Sequence, residues 1–118
     1  MGVGELLRWQ WEGYSRYHQS RANLVLHVFV VPLFLAGNIV FIVALAHASW
    51  LTALFALAAM VVSVGLQGRG HSKEPVPPAP FTSPVNAVLR IFFEQWVTFP
   101  RFVFSRGWSN AMRRVAAA

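Results

Sequence analysis

The chain of 118 residues has no cysteine and no aspartate. The first absence excludes disulfide frameworks, thiolate nucleophiles, iron–sulfur clusters and Cys-ligated zinc. The second leaves only Glu5, Glu12, Glu74 and Glu94 as carboxylates for acid–base work or metal binding. Charge as a whole is scarce, at 12% of residues against the roughly 25% of an ordinary soluble domain. It is also lopsided, with ten Lys+Arg against four Asp+Glu and a pI near 11.5. Between Ala22 and Gly68 there is no charged side chain at all. At ~1.5 Å per residue that gap makes ~70 Å of helix, about twice the ~30 Å thickness of bilayer hydrocarbon. The positive balance therefore points to a membrane protein with two spans, not to a nucleic-acid partner. No Gly-rich phosphate loop, nucleophile elbow or dinucleotide fingerprint is present.

What the chain does have, 56% hydrophobic residues and a mean hydropathy of +0.49, is ordered along it. The expected fold class is an all-α membrane protein of one domain, 1–118: a two-span helical hairpin with amphipathic interfacial helices before and after it. Residues 1–21 carry Leu7, Trp11, Tyr14 and His18 on one helical stripe, with recurrent charges that exclude a signal peptide. Spans are expected over 24–46 and 49–66, joined by a turn short enough to force them antiparallel. Pro32 predicts a kink in the first. Gly37 and the series Thr52, Ala56, Ala59 and Ser63 offer small surfaces for close helix contact. A Gly/Pro-rich loop is expected over 67–82, where four prolines between Pro75 and Pro80 favour an extended strap. Thr82 or Ser83 before Pro84 is a helix start. The interfacial helix over 83–100 divides into Val85, Val88, Leu89, Phe92, Phe93 and Trp96 on one side and Asn86, Arg90, Glu94, Gln95 and Thr98 on the other. Pro100 should end or bend it, leaving 101–118 as a basic aromatic tail suited to anionic lipid, frayed at Ala116–Ala118.

Charge placement gives a topology. Basic residues precede and follow the uncharged gap but none lies at its turn, which predicts both termini on the cytoplasmic side. Arginine in nearly every cationic position suggests a GC-rich bacterial genome, hence a bacterial inner membrane. His18, His27 and His71 then lie at one mouth of the hairpin with Glu74, and His47 at the far tip. The polar series Asn23, His27, Asn38 and Ser63, Gln67 are expected to face each other, because polar groups at membrane depth need protein, water or ligand.

Neutral imidazoles with a carboxylate suit Fe(II), Zn(II) or Mn(II), and composition alone does not choose among them. For one ion to bind both His18 and His27 the helix must break between them, and Ser20–Asn23 is the place, with Asn23 as cap. Blander roles stand beside these: His18 as an interfacial ring, His27 as a packing residue, His71 and His47 in loops, Glu74 paired with Arg69 or Lys73, and Glu94 paired with Arg90.

Tyr17-His18-Gln19-Ser20-Arg21-Ala22-Asn23-Leu24-Val25-Leu26-His27 with Pro32-Leu33, and Leu66-Gln67-Gly68-Arg69-Gly70-His71-Ser72-Lys73-Glu74 with its following prolines, resemble the motifs of a family of small membrane proteins. That family includes the fungal 2-hydroxy-fatty-acid (2-hydroxypalmitate) dioxygenase. The resemblance covers Tyr17 to about Pro80. It departs at Lys73, where the family usually has an aromatic residue, and in the C-terminal half, since many members have four spans. It implies an Fe(II)-dependent dioxygenase that shortens a 2-hydroxy fatty acid by one carbon with O2. His18, His27 and His71 would be metal ligands, Glu74 a fourth ligand or its neighbour, and Asn23 and Gln67 would orient ligands or substrate. Arg69 or Lys73 would attract the carboxylate, with the acyl chain among Phe29 and Phe34. Membrane lipids are the other expected partners, and a homo-oligomer is compatible. Two further readings remain open at this point: a noncatalytic organiser of lipids or a membrane complex, and a zinc-dependent lipid hydrolase that would need no oxygen.

Overall fold

The computed structural model describes residues 2–117, and the regular structure among them is wholly helical. Helix α1 (Val3–Tyr14) runs into a 3-10 turn, Ser15–Tyr17, and the chain breaks before α2 (Arg21–Ala46). Then come α3 (Trp50–His71), α4 (Pro84–Phe93), a π-helical turn over Glu94–Thr98, α5 (Phe99–Phe104) and α6 (Gly107–Ala117). Ala118, part of the end expected to fray, lies outside the described residues.

Helix α2 begins at Ser20, whose side chain accepts the Asn23 backbone N–H. The cap is therefore Ser20 and not Asn23, which lies fully buried in the first turn. Glu74 reinforces the start: its carboxylate accepts the N–H groups of Gln19 at 2.6 Å and Ser20 at 3.0 Å. An anion at that end also suits the helix dipole. The helix continues through Pro32. It ends in a Schellman motif: Ser49 N–H reaches Ala44 C=O, Ala48 N–H reaches Leu45 C=O, and Ala48 takes the left-handed conformation at φ 51°.

Helix α3 passes the expected end at Leu66 and runs to His71, so Gln67, Gly68, Arg69, Gly70 and His71 are helical and not loop. Glycine weakens a helix by about 1 kcal/mol but does not block it, and the first true block is Pro75. Helices α2 and α3 pack along a seam of buried residues seven apart, Asn23, Val30, Gly37 and Ala44 on α2 against Ala56, Ser63 and Gly70 on α3. Gly70 abuts Asn23, the Ser63 hydroxyl donates to Val30 C=O, and a Cβ on Gly37 would lie 3.1 Å from Ala56 C=O. Positions rise on one helix as they fall on the other, so the pair is antiparallel. Of the small residues expected at this contact, Thr52 is exposed and Ala59 half-buried, while Ala53 and Gly70 take their place.

The faces of α4 are turned opposite to a soluble amphipathic helix. Val85 and Val88 are 68% and 65% exposed, whereas Gln95 and Thr98 in the following π turn are buried. Pro100 does not end the segment, which runs on to Phe104. The basic tail is likewise ordered: α6 folds back so that Trp108 Nε1 donates to Leu24 C=O at 2.8 Å. Tyr14, Leu24, Val31, Phe99, Phe102 and Ala111 form the core there. Each such large apolar side chain contributes about 1.5–3 kcal/mol on burial. This core sits at one end of the α2–α3 pair, and the site is built on it.

Candidate metal centre

Local structure aims each imidazole. His18 closes the 3-10 turn with φ −131°, and its ring folds back to stack on Tyr14 at a centroid distance of 3.8 Å. His18 Nδ1 lies 2.7 Å from Tyr14 C=O, and in the second turn of α2 His27 Nδ1 lies 2.9 Å from Asn23 C=O. A carbonyl oxygen can only accept, so both Nδ1 atoms carry hydrogen and each neutral ring keeps its lone pair on Nε2. His71 arrives from the last turn of α3. The three rings stand nearly perpendicular, with centroids 4.8–5.2 Å apart.

The carboxylate among them is Glu94, the first residue of the π turn. One donor atom each from His18, His27, His71 and Glu94 lies within 4.8 Å of every other. Two ligands with bonds of about 2.1 Å sit at most about 4.2 Å apart, so binding an ion requires the widest pair to close by a few tenths of an ångström. Glu94 Oε2 is 3.4 Å from His18 Nε2 and 3.7 Å from His27 Nε2. His18 Nε2, His27 Nε2 and His71 Nδ1 are buried without hydrogen-bond partners. Lone pairs and a carboxylate facing one another in a buried space require protons or a cation between them. The donor set, three imidazoles and one carboxylate, fits a divalent first-row metal.

Tyr14 supports the carboxylate by donating its hydroxyl to Glu94 Oε2 at 2.8 Å. Burial would push the Glu94 carboxyl up, but the facing His18 and His27 rings, when they carry the second proton, outweigh it and hold the group well below the usual range. Burial and the neighbouring Glu94 charge push the Tyr14 phenol well above 10, so it remains a donor. The π turn widens the helix where Glu94 and Gln95 turn inward, a feature frequent at functional sites.

The residues singled out in the sequence divide accordingly. His18, His27 and His71 come together, and His47 lies exposed at the tip with its ring on Val43 C=O. Glu74 is not in the cluster: besides capping α2 it accepts Asn23 Nδ2 at 2.8 Å. Asn23 thereby holds Glu74 with its side chain and His27 with its carbonyl. Gln67 forms a reciprocal amide pair with Gln95, both bonds 2.8 Å, and makes no hydrogen bond to the imidazoles. Asn38 accepts from Trp96 Nε1, so Asn38 and Gln67 find their partners in the π turn, while Asn23 pairs with Glu74 and Ser63 with Val30 C=O. Arg69 and Lys73 are exposed and do not line the cavity at the site.

That cavity, about 320 Å³, opens beside His18, His71 and Glu94. Its volume is at the lower end for small-molecule sites. Trp9, Val64, Ile91 and the strap Pro78–Phe81 make it mainly apolar, and Arg90 is its one cationic side chain. Phe29 and Phe34 are not in its walls; Phe29 is 71% exposed on the outer face of α2. Glu94 and Arg90 were missed as a site because their spacing reads as a solvated i, i+4 pair. The available signal was scarcity, since Glu94 is one of four carboxylates and stands in an aromatic segment.

A protein-family model described as 2-hydroxy-palmitic acid dioxygenase Mpo1-like matches residues 5–103. No curated protein and no solved structure matches the chain.

Proposed function

The chain belongs to the Mpo1-like family, and on that premise we propose that it is a membrane-embedded Fe(II) dioxygenase that shortens 2-hydroxy fatty acids by one carbon. The observation that carries this reading is the convergence of His18, His27, His71 and Glu94 beside an apolar cavity. These four residues would hold the ion. When bound, Fe(II) supplies O2 activation and a Lewis-acid contact for the substrate's hydroxyl and carboxylate. The overall conversion balances without an external reductant: a 2-hydroxy acid and one O2 give the shorter acid, CO2 and water. One O2 accepts the four electrons released.

The chain's own side chains position and insulate. Backbone carbonyls of Tyr14 and Asn23 fix the His18 and His27 rings in the tautomer that offers Nε2. Tyr14 restricts the rotation of Glu94. The apolar walls exclude water and receive the acyl chain, and the strap at Pro78–Phe81 covers it.

The membrane placement rests on α2 and α3, both long and apolar enough to cross a bilayer, with 28% and 22% of their most apolar windows buried. A core helix of a soluble protein is mostly buried. Their outer faces, Phe29, Ile42, Leu51, Phe55 and Val61 among them, are exposed. The helical hairpin would thus span the bilayer, with α4 in the interface and its apolar face toward lipid. On the positive-inside rule both termini would lie on the cytoplasmic side, and the arginine-rich composition makes a bacterial inner membrane the membrane we propose.

Purified protein should contain about one iron per chain and consume O2 with 2-hydroxypalmitate, releasing one CO2 per O2. His27→Ala should lose both the iron and the uptake. Undiminished turnover without His27, or without O2, overturns the reading; the second result would favour a zinc hydrolase.

A further inference from the structure

We propose that Arg90 is the head-group anchor of the cavity, selecting amphiphiles whose polar end is a carboxylate; this deepens the proposed function and rests on its reading of the cavity. Arg90 is the one cationic residue in the cavity wall. It lies one helical turn before Glu94 and so on the same side of the segment. The chain holds its guanidinium in place. Nη1 donates to Pro80 C=O at 3.0 Å and Nη2 to Ala79 C=O at 2.8 Å, while Nη1 also approaches Asn86 Oδ1 at 3.5 Å. The rings of Phe81 and Trp9 lie 4.4 and 4.9 Å from Cζ.

A guanidinium has five N–H groups. Three are taken by these contacts, which leaves Nε–H and the second Nη2–H, two donors on adjacent nitrogens. Adjacent N–H groups match the two oxygens of a carboxylate. None of these contacts is to an acid; the Glu94 carboxylate one turn away acts on the guanidinium only through space and gives it no hydrogen bond. A partly buried cation with two donors still available is a receptor for an anion, and the apolar remainder of the cavity accepts a hydrocarbon chain. The strap carbonyls fix the fork before binding, which lowers the ordering cost. Arg69 and Lys73, though closer in sequence to His71, are exposed outside the wall.

The test compares the binding of 2-hydroxypalmitate and hexadecane-1,2-diol, equal in chain length but different in head charge, to the full-length detergent-solubilised protein by calorimetry. Wild type should prefer the acid by about tenfold or more, a difference of about 1.4 kcal/mol. Arg90→Gln should lower the acid's affinity by about tenfold while leaving the diol's affinity unchanged, which also reports that the cavity is intact. The double variant Arg69→Gln/Lys73→Gln should retain the preference. Absence of a preference in wild type, its persistence in Arg90→Gln, or its loss in the double variant overturns the inference. Because the readout is binding, a protein that shows the Arg90-dependent preference but no stoichiometric iron supports the anchor while refuting the dioxygenase.

Discussion

The chemistry at this site is decided by which atom of each side chain is already engaged. Tyr14 and Asn23 use their backbone carbonyls to occupy one nitrogen of His18 and His27, so the other nitrogen is presented inward. Tyr14→Phe keeps the ring stacked on His18 but removes the hydrogen bond to Glu94. Loss of such a supporting bond typically costs 10–100-fold in metal affinity or activity. We expect a drop of about that size in iron affinity, measured by chelator competition, with little change in melting temperature. Glu94→Gln removes the one negative charge among the donors and should weaken iron binding more than Tyr14→Phe does. Protons compete for the same lone pairs. Lowering the pH should therefore release the metal, and raising it should restore binding, as followed by bound iron after desalting at each pH.

Helix ends and helix contacts set how accurately these groups meet. The start of α2 depends on Ser20 and on Glu74, and through Asn23 the same contacts reach His27. Gly70 lets that start approach α3 closely: a Cβ there would strike the Asn23 side chain and lie 2.9 Å from Leu26 Cδ2. Gly70→Ala should consequently destabilise by ~1–3 kcal/mol, the usual cost of overpacking, and lower iron affinity as well. Thermal unfolding in detergent and metal titration measure the two effects. At the opposite end Ala48 holds a left-handed conformation that costs a non-glycine residue about 1–2 kcal/mol. Ala48→Gly should raise the melting temperature without altering activity, since the tip lies far from the cluster. Periodicity made the existence of these helices legible. It could not show that α3 continues to His71, because the Gly-Arg-Gly sequence weakens a helix without forbidding one and packing against Asn23 decides the outcome.

The whole molecule measures 50 × 32 × 24 Å, elongated along a pair of helices whose far half is bare of other elements. The chain's lack of cysteine turns this into a direct test of topology. Single cysteines placed at His47, exposed in the tip, and at Arg113, exposed on α6, should react with an impermeant thiol reagent from opposite sides of sealed vesicles. Labelling of both from one side would refute the two-span arrangement. The turned faces of α4 belong to this scale too. In water its apolar stripe would have packed inward; on the proposed bilayer placement the apolar side faces lipid while the polar side meets the protein.

The sequence by itself determined the helical class, the two long apolar helices and the absence of thiol chemistry, because each follows from composition or from local periodicity, and the family resemblance pointed to the three histidines. Tertiary structure decided which carboxylate joins them. Glu74 and Glu94 are both scarce acids near the expected mouth, and their local contexts suggest surface ion pairs equally well. Only the fold sends Glu74 to the start of α2 and carries Glu94, 67 residues beyond His27 in the chain, to the imidazoles through a π turn. The same holds for Arg90, whose role depends on a strap ten residues earlier crossing over it. Long-range packing of this kind leaves no periodic trace, because no local pattern records which buried face a side chain will meet.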